Sequence, residues 1–98
     1  MKKSTGELKL FKEIWEEREH KSELSGDPLL PYGHYLWICQ FLHICPKGTY
    51  PYYRLRKENI ILGTVEEHKN QDSNPKFLKK REELTRKYYE EFYGKKFD

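Results

Sequence analysis

Apolar positions at the start of the chain recur with the spacing of one helical face. They are Leu8, Phe11, Ile14 and Trp15. Just before them, Ser4 and Glu7 have the S-x-x-E spacing of a capping box, in which each residue satisfies a free amide of the first turn. The pattern predicts an N-terminal helix over about residues 5–18.

The end of the chain carries the clearest helix pattern. Asn74 is a good N-cap, Pro75 suits the first helical position, and Gly94 suits the C-terminus. An apolar stripe runs between them: Phe77, Leu84, Tyr88 and Phe92. We therefore predict a long C-terminal helix over about residues 75–93.

The middle of the chain reads as two strands and a short helix. "YLWICQFLHIC", Tyr35 to Cys45, is aromatic and β-prone with apolar residues on both faces, and "NIILG", Asn59 to Gly63, predicts a second strand. Thr64 is a candidate N-cap for a helix from Val65 to about Gln71. The order predicts a single α+β domain over residues 1–98, with a ββα core at about 35–72.

Composition and charge exclude few classes of function. The chain has 98 residues, of which 36% are charged, and a net charge of +3, which is too small to establish a nucleic-acid partner. The start lacks the apolar region of a signal peptide, and no run approaches the ~20 apolar residues of a membrane span. We therefore expect a soluble cytoplasmic protein without a membrane partner. Cys39 and Cys45, the only cysteines, are expected to be reduced structural thiols.

Three polar residues of the middle segment are candidates for chemistry. His43 ends the first predicted strand, Asn59 opens the second, and His68 lies on the short helix. A histidine can act as a general base near neutral pH or bind a metal, and an asparagine side chain can fix a loop. Each also has a structural interpretation: a half-buried strand histidine, a turn residue and an exposed helix histidine.

These residues and their surroundings resemble the HNH endonuclease family, whose core is the ββα-metal fold. The likeness lies in "HICPKG", "ENIIL" and "EEHKN", with nine residues from Asn59 to His68, and the flanking segments resemble small phage or prophage HNH proteins. The resemblance implies that His43 activates water, Asn59 orients the loop and the base, and His68 binds a divalent ion. Mg²⁺ is the first choice, with Mn²⁺, Ni²⁺ or Zn²⁺ as alternatives.

Two positions depart from the family pattern. Leu42 stands where HNH enzymes commonly carry a second metal ligand, so Asp72, four residues after His68, becomes the candidate ligand, with Gln40 as a weaker one. Solvation at a helix end is the simpler interpretation of Asp72. Ser22 and Ser25 stand where many HNH proteins carry half of a structural zinc site, so we expect no structural zinc.

Basic residues near the candidate site suggest contacts with a DNA backbone. They are Lys47, Arg54, Arg56 and Lys57. The basic residues of the last helix are interspersed with glutamates, so we expect them to form a solvent-exposed face rather than a DNA contact. The expectation is a metal-dependent endonuclease acting on DNA as a monomer or weak dimer. The alternative is a degenerate module of the same fold that binds nucleic acid without cleaving it.

Overall fold

A computed structural model of the chain describes residues 5–45 and 55–94. The helices and strands within those ranges are α1 (Thr5–Glu17), β1 (Phe41–His43), β2 (Ile60–Leu62), α2 (Val65–Lys69) and α3 (Pro75–Tyr93). The predicted α+β class is confirmed. The two long helices lie where the periodicity predicted them, although Leu8 and Phe92 of the predicted apolar stripes are exposed and Leu10 is buried in the place of Leu8.

The first strand is much shorter than the sequence predicts. A 3₁₀ turn covers Trp37–Gln40, and only Phe41–His43 is strand. The cause is a long-range contact of Gln40: its Oε1 accepts from Leu30 N at 2.6 Å, and its Nε2 donates to Leu30 O at 3.1 Å. This pairing turns the Gln40 side chain inward and overrides the β propensity of the residues around it.

The two strands form an antiparallel pair that is covered on both faces. Leu42 pairs with Ile61, and His43 pairs with Ile60. One face packs on apolar residues of α1: Phe41, Ile60 and Leu62 lie against Leu10, Phe11, Ile14 and Trp15. The other face packs on α3: Leu42, Ile44 and Ile61 lie with Phe77 and Tyr88. Both faces of the short first strand are therefore packed against helices.

Side chains from outside the sheet satisfy the free edge of β2. Arg18 donates to the carbonyl of Ile60 at 2.7 Å. Glu23 accepts from Leu62 N through Oε2 and donates through its own amide to Leu62 O, both at 2.8 Å. A two-stranded hairpin is marginal on its own, so these bonds tie it to the connection after α1.

The described termini of α2 and α3 follow the predicted caps, whereas Ser4, the predicted cap of the first helix, lies outside the described residues. Thr64 and Glu67 form a capping box at the start of α2, and Asn74 accepts from the amides of Lys76 and Phe77 at the start of α3. Gly94 ends α3 with φ of 70°, the left-handed conformation that glycine adopts without strain.

The predicted short helix is cut short. α2 ends at Lys69, and a 3₁₀ turn over Gln71–Ser73 follows it.

No helix in the described ranges is long and apolar enough to cross a lipid bilayer. Cys39 and Cys45 form no disulfide.

Candidate functional site

His43 lies at the end of β1 on the face covered by α1. Its Nε2 is 3.1 Å from Glu7 Oε2, and the two side chains are each 29% exposed. The ring centroids of His43 and Phe11 are 6.1 Å apart. The imidazole is thus half-buried between strand and helix, where it retains access to solvent and has a carboxylate at one ring nitrogen.

Asn59 holds the backbone immediately after His43. It is buried, with 1% exposure, in a 3₁₀ turn that leads into β2. Its Oδ1 accepts from Cys45 N at 2.8 Å, and its Nδ2 lies 3.4 Å from Cys45 O. Its main-chain carbonyl accepts from Ile44 N at 2.7 Å. The structure therefore brings Asn59 to the segment that carries His43, in the geometry of a loop-orienting residue.

His68 is held at the other end of the same strand. Its Nδ1 lies 2.9 Å from the carbonyl oxygen of Cys39, four residues before His43. A carbonyl only accepts, so Nδ1 carries a proton, and in the neutral form of this exposed ring the lone pair is on Nε2. Such a nitrogen can bind a metal ion. Cys39, which His68 contacts, and His43 are four residues apart, which corresponds to about 10 Å along the chain. The two histidines therefore lie at opposite ends of β1.

The other predicted ligand positions do not surround His68 with donors. Leu42 is fully buried, with 0% exposure, in the core against α3. Asp72 lies beyond the end of α2, so it does not share a helical face with His68; its side chain is 82% exposed and pairs with Arg81 at 3.3 Å. The amide of Gln40 is used by the backbone of Leu30. In residues 5–45 and 55–94, no three His, Cys, Asp or Glu side chains form a group that could hold a metal.

A hydrogen-bonded cluster occupies the position at which the family resemblance suggests half of a zinc site. Ser22 Oγ donates to Glu67 Oε1 at 2.6 Å and accepts from the amides of Leu24 and Ser25, each at 3.0 Å. Thr64 N also donates to Glu67 Oε1, at 2.8 Å. Burial alone would raise the pKa of Glu67, but the hydrogen bonds from Ser22 and Thr64 outweigh it and hold the pKa below its usual value. The cluster fastens the connection after α1 to the start of α2.

The two described basic candidates are engaged in ion pairs within the chain. Arg56 lies 2.9 Å from Glu91 Oε1 and 3.7 Å from Glu58 Oε2. Lys57 pairs with Glu17 and, at 3.8 Å, with Glu13. Hydrogen bonds to Glu91 and Glu17 raise the pKa values of Arg56 and Lys57, respectively, so both remain charged. Lys47 and Arg54 lie outside the described residues.

Sequence reasoning missed two carboxylates near the candidate residues. Glu7 was recognised only as part of a helix cap, because its contact with His43 depends on how α1 packs on the sheet. Glu67 could have been found, since Thr64 and Glu67 have the T-x-x-E spacing of a capping box. Its further bond to Ser22 carries no local signal.

Comparison of the chain with protein-family models, curated proteins and solved structures gave no match.

Proposed function

We propose that this chain is a metal-dependent endonuclease of the HNH type that hydrolyses DNA phosphodiester bonds, and that β1, β2 and α2 form its ββα core. The observation that carries the proposal is the clamp of Asn59 on Cys45, directly after His43. This is the loop-orienting contact that the family resemblance assigns to the asparagine. The order of hairpin and helix, with His68 on the helix, supports it.

In the proposed reaction, His43 acts as the general base. A proton of the attacking water moves to the imidazole, and the water oxygen forms a new bond to phosphorus. The bond from phosphorus to the leaving oxygen breaks, and that oxygen takes up a proton from solvent. Histidine suits this step because its pKa allows proton uptake near neutral pH. Asn59 contributes by fixing the backbone that carries the base.

A divalent ion, when bound, would stabilise negative charge on the phosphate and the leaving oxygen. Among the described residues, the Nε2 of His68 would be the protein ligand of such an ion, because Leu42 is buried and has no donor atom. Mg²⁺ prefers oxygen ligands, so its remaining positions would have to be filled by waters and substrate phosphates.

Contacts with the DNA backbone are proposed for Lys47, Arg54, Arg56 and Lys57. The ion pairs of Arg56 and Lys57 lie at the surface, where such pairs contribute little to stability. A phosphate can therefore replace the glutamate partners at little cost. One site per chain makes nicking of a single strand the simplest outcome for a monomer or weak dimer. We further propose a phage-encoded protein acting in the cytoplasm of a bacterial host.

A second candidate is a degenerate module of the same fold that binds nucleic acid and cleaves nothing. The observation that favours it is the complete burial of Leu42 at the position of an expected metal ligand. Such a module would bind DNA through its basic residues, with affinity that falls steeply with salt.

A plasmid-nicking assay separates the two candidates. Wild type is compared with His43→Ala and His68→Ala in Mg²⁺, Mn²⁺, Ni²⁺ or EDTA. His34→Ala serves as the matched control, because His34 contacts Tyr35 and Leu36 and has no proposed role. For an endonuclease, wild type and His34→Ala relax supercoiled DNA only with metal, and the other two variants lose at least about 100-fold in rate. DNA binding without cleavage in any metal would establish the degenerate module instead.

A further inference from the structure

Two side chains hold the same peptide group directly after His43. This group consists of the carbonyl of Ile44 and the amide of Cys45. Asn59 Oδ1 accepts from Cys45 N at 2.8 Å, and Arg81 Nε donates to Ile44 O at 2.7 Å. The bond from Arg81 joins α3 to the segment after β1 across 37 positions of sequence. The amide end of the peptide is therefore held from the hairpin, and its carbonyl end is held from α3.

Other contacts of α3 fix the orientation of Arg81. Phe77, Arg81 and Thr85 are spaced by four and lie along one face of the helix. The guanidinium carbon lies 4.9 Å from the centroid of the buried Phe77 ring, and Nη1 lies 3.3 Å from Asp72 Oδ1. Thr85 Oγ1 lies 3.5 Å from Cys45 Sγ. These contacts leave Nε as the nitrogen that meets the peptide.

We propose that Arg81 is a positioning residue of the endonuclease, which holds the carbonyl end of the peptide after His43 as Asn59 holds its amide end. The inference rests on the proposed function. A peptide group is planar, so bonds at both of its ends fix the plane, whereas a bond at one end leaves it free to turn. The backbone that carries the general base is thereby fixed. In this role Arg81 acts through the backbone and touches neither the substrate nor a metal.

Two other roles of Arg81 are competing explanations. Its side chain is 26% exposed, so its charge could contact a DNA phosphate. Its bond to Ile44 could also serve only to fasten α3 to the sheet. A phosphate contact predicts weaker DNA binding, and a fastening role predicts losses that follow the melting temperature. A positioning role predicts a lower cleavage rate at saturating DNA.

Arg81→Gln and Arg81→Met form the decisive pair of variants. Glutamine carries its amide nitrogen at the same place along the side chain as Nε of arginine, so it can donate to Ile44 O without the charge. Methionine places a methyl group there, which cannot donate. Lys79→Gln is the control for loss of charge, because Lys79 is exposed on the same helix. Ile14→Val is the control for loss of stability, because Ile14 is fully buried on the opposite face of the sheet from Ile44.

Two measurements on the full chain separate the roles. Amide hydrogen exchange followed by NMR reports how readily the Cys45 N–H opens relative to the Gly63 N–H, which bonds to Gln40 O at the other end of the hairpin. Plasmid nicking over a range of DNA concentrations, with Mg²⁺ or Mn²⁺, gives kcat and KM. The exchange ratio requires no DNA, so it tests the hold of Arg81 on the peptide even if the chain is not an endonuclease.

The expected result is a difference between the two Arg81 variants. In Arg81→Met, the Cys45 amide should exchange about 3- to 10-fold faster relative to Gly63, because the peptide has lost one of its two side-chain bonds. Its kcat should fall about 10- to 100-fold with little change in KM, since a small displacement of a catalytic group is costly in rate. Arg81→Gln keeps the donor and should stay within about 3-fold of wild type in both quantities. Lys79→Gln and Ile14→Val should keep the wild-type kcat.

Three results would overturn the inference. Equal losses in Arg81→Gln and Arg81→Met would assign the effect to the charge, and a raised KM with a weaker salt dependence would identify a phosphate contact. A loss of kcat in Ile14→Val as large as in Arg81→Met would reduce the role to fastening. An unchanged exchange ratio in Arg81→Met would show that the bond does not hold the peptide.

The two proposals fail separately. A wild type that cuts no DNA overturns the endonuclease, while the exchange ratio still supports or contradicts the hold of Arg81 on the peptide. A wild type that nicks DNA at the same rate as Arg81→Met supports the endonuclease and overturns the positioning role.

Discussion

The clamp of Asn59 on the backbone of Cys45 yields the sharpest stability prediction. Asn59→Ala removes the acceptor of the Cys45 amide, whose 2.8 Å bond is buried. A buried donor left without a partner costs about 1–3 kcal/mol. The second contact, from Nδ2 to Cys45 O, is long at 3.4 Å and adds little. We therefore expect Asn59→Ala to lower the free energy of unfolding by about 2 kcal/mol.

In a domain of 98 residues, this loss corresponds to a melting temperature about 8–16 °C below that of wild type. Urea denaturation followed by tryptophan fluorescence measures the free energy, and calorimetry measures the melting temperature. Asn70→Ala is the matched control: Asn70 is exposed and bonds Glu66 O at 3.2 Å, so its loss should stay within about 0.5 kcal/mol. If Asn59→Ala is as stable as this control, the clamp does not hold the loop. Lost cleavage with intact stability would instead place Asn59 against the substrate.

Two further predictions concern the neighbours of the site. Leu42→Asp, which places an oxygen ligand at this position, should lower the free energy of unfolding by about 3–5 kcal/mol because it buries a charge without a partner. In urea denaturation, adding Mg²⁺ should not restore this stability. Recovery by Mg²⁺ would show that this position can still bind metal. Ser22→Ala removes a hydrogen bond that lowers the pKa of Glu67. The stability that this bond contributes is present above pH 4.5, the ordinary pKa of the carboxyl, and is lost as the pH falls through the lowered pKa. The stability difference from wild type should therefore shrink on acidification, and a constant difference across urea curves at several pH values would contradict the assigned bond.

The parts of the fold that the sequence predicts well are those with local causes. Asn74, Pro75 and Gly94 mark the ends of α3 because a helix cap involves only residues one turn apart. Thr64 marks the start of α2 for the same reason. The length of β1 has no such local cause. It depends on the hydrogen bonds between Gln40 and Leu30, which is ten residues away. A prediction from β propensity alone therefore placed Gln40 inside the strand.

The candidate site divides in the same way. The proximity of Asn59 to the segment after His43 follows from a hairpin, so the order of strands was enough to predict it. The contact of Glu7 with His43, and the pairing of Arg56 with Glu91, join residues more than 30 positions apart. They depend on how α1 and α3 pack on the sheet. Charge counted along the sequence therefore does not reveal that Arg56 and Lys57 are already paired with glutamates.

The residues proposed for chemistry also hold the short strand in place, and this determines which variants report on mechanism. Asn59 fixes the segment after β1, and His68 fixes Cys39 before it. The bond of Asn59 is buried, so any loss of cleavage in its variants must be corrected for a loss of folding. The bond of His68 lies on an exposed ring, and its removal should cost no more than about 1 kcal/mol. A loss of cleavage rate beyond 100-fold in His68→Ala would correspond to about 2.7 kcal/mol of activation free energy. This is more than the bond to Cys39 supplies, so the loss would have to come from the Nε2 of His68. His68 is therefore the residue at which chemistry and folding separate most cleanly.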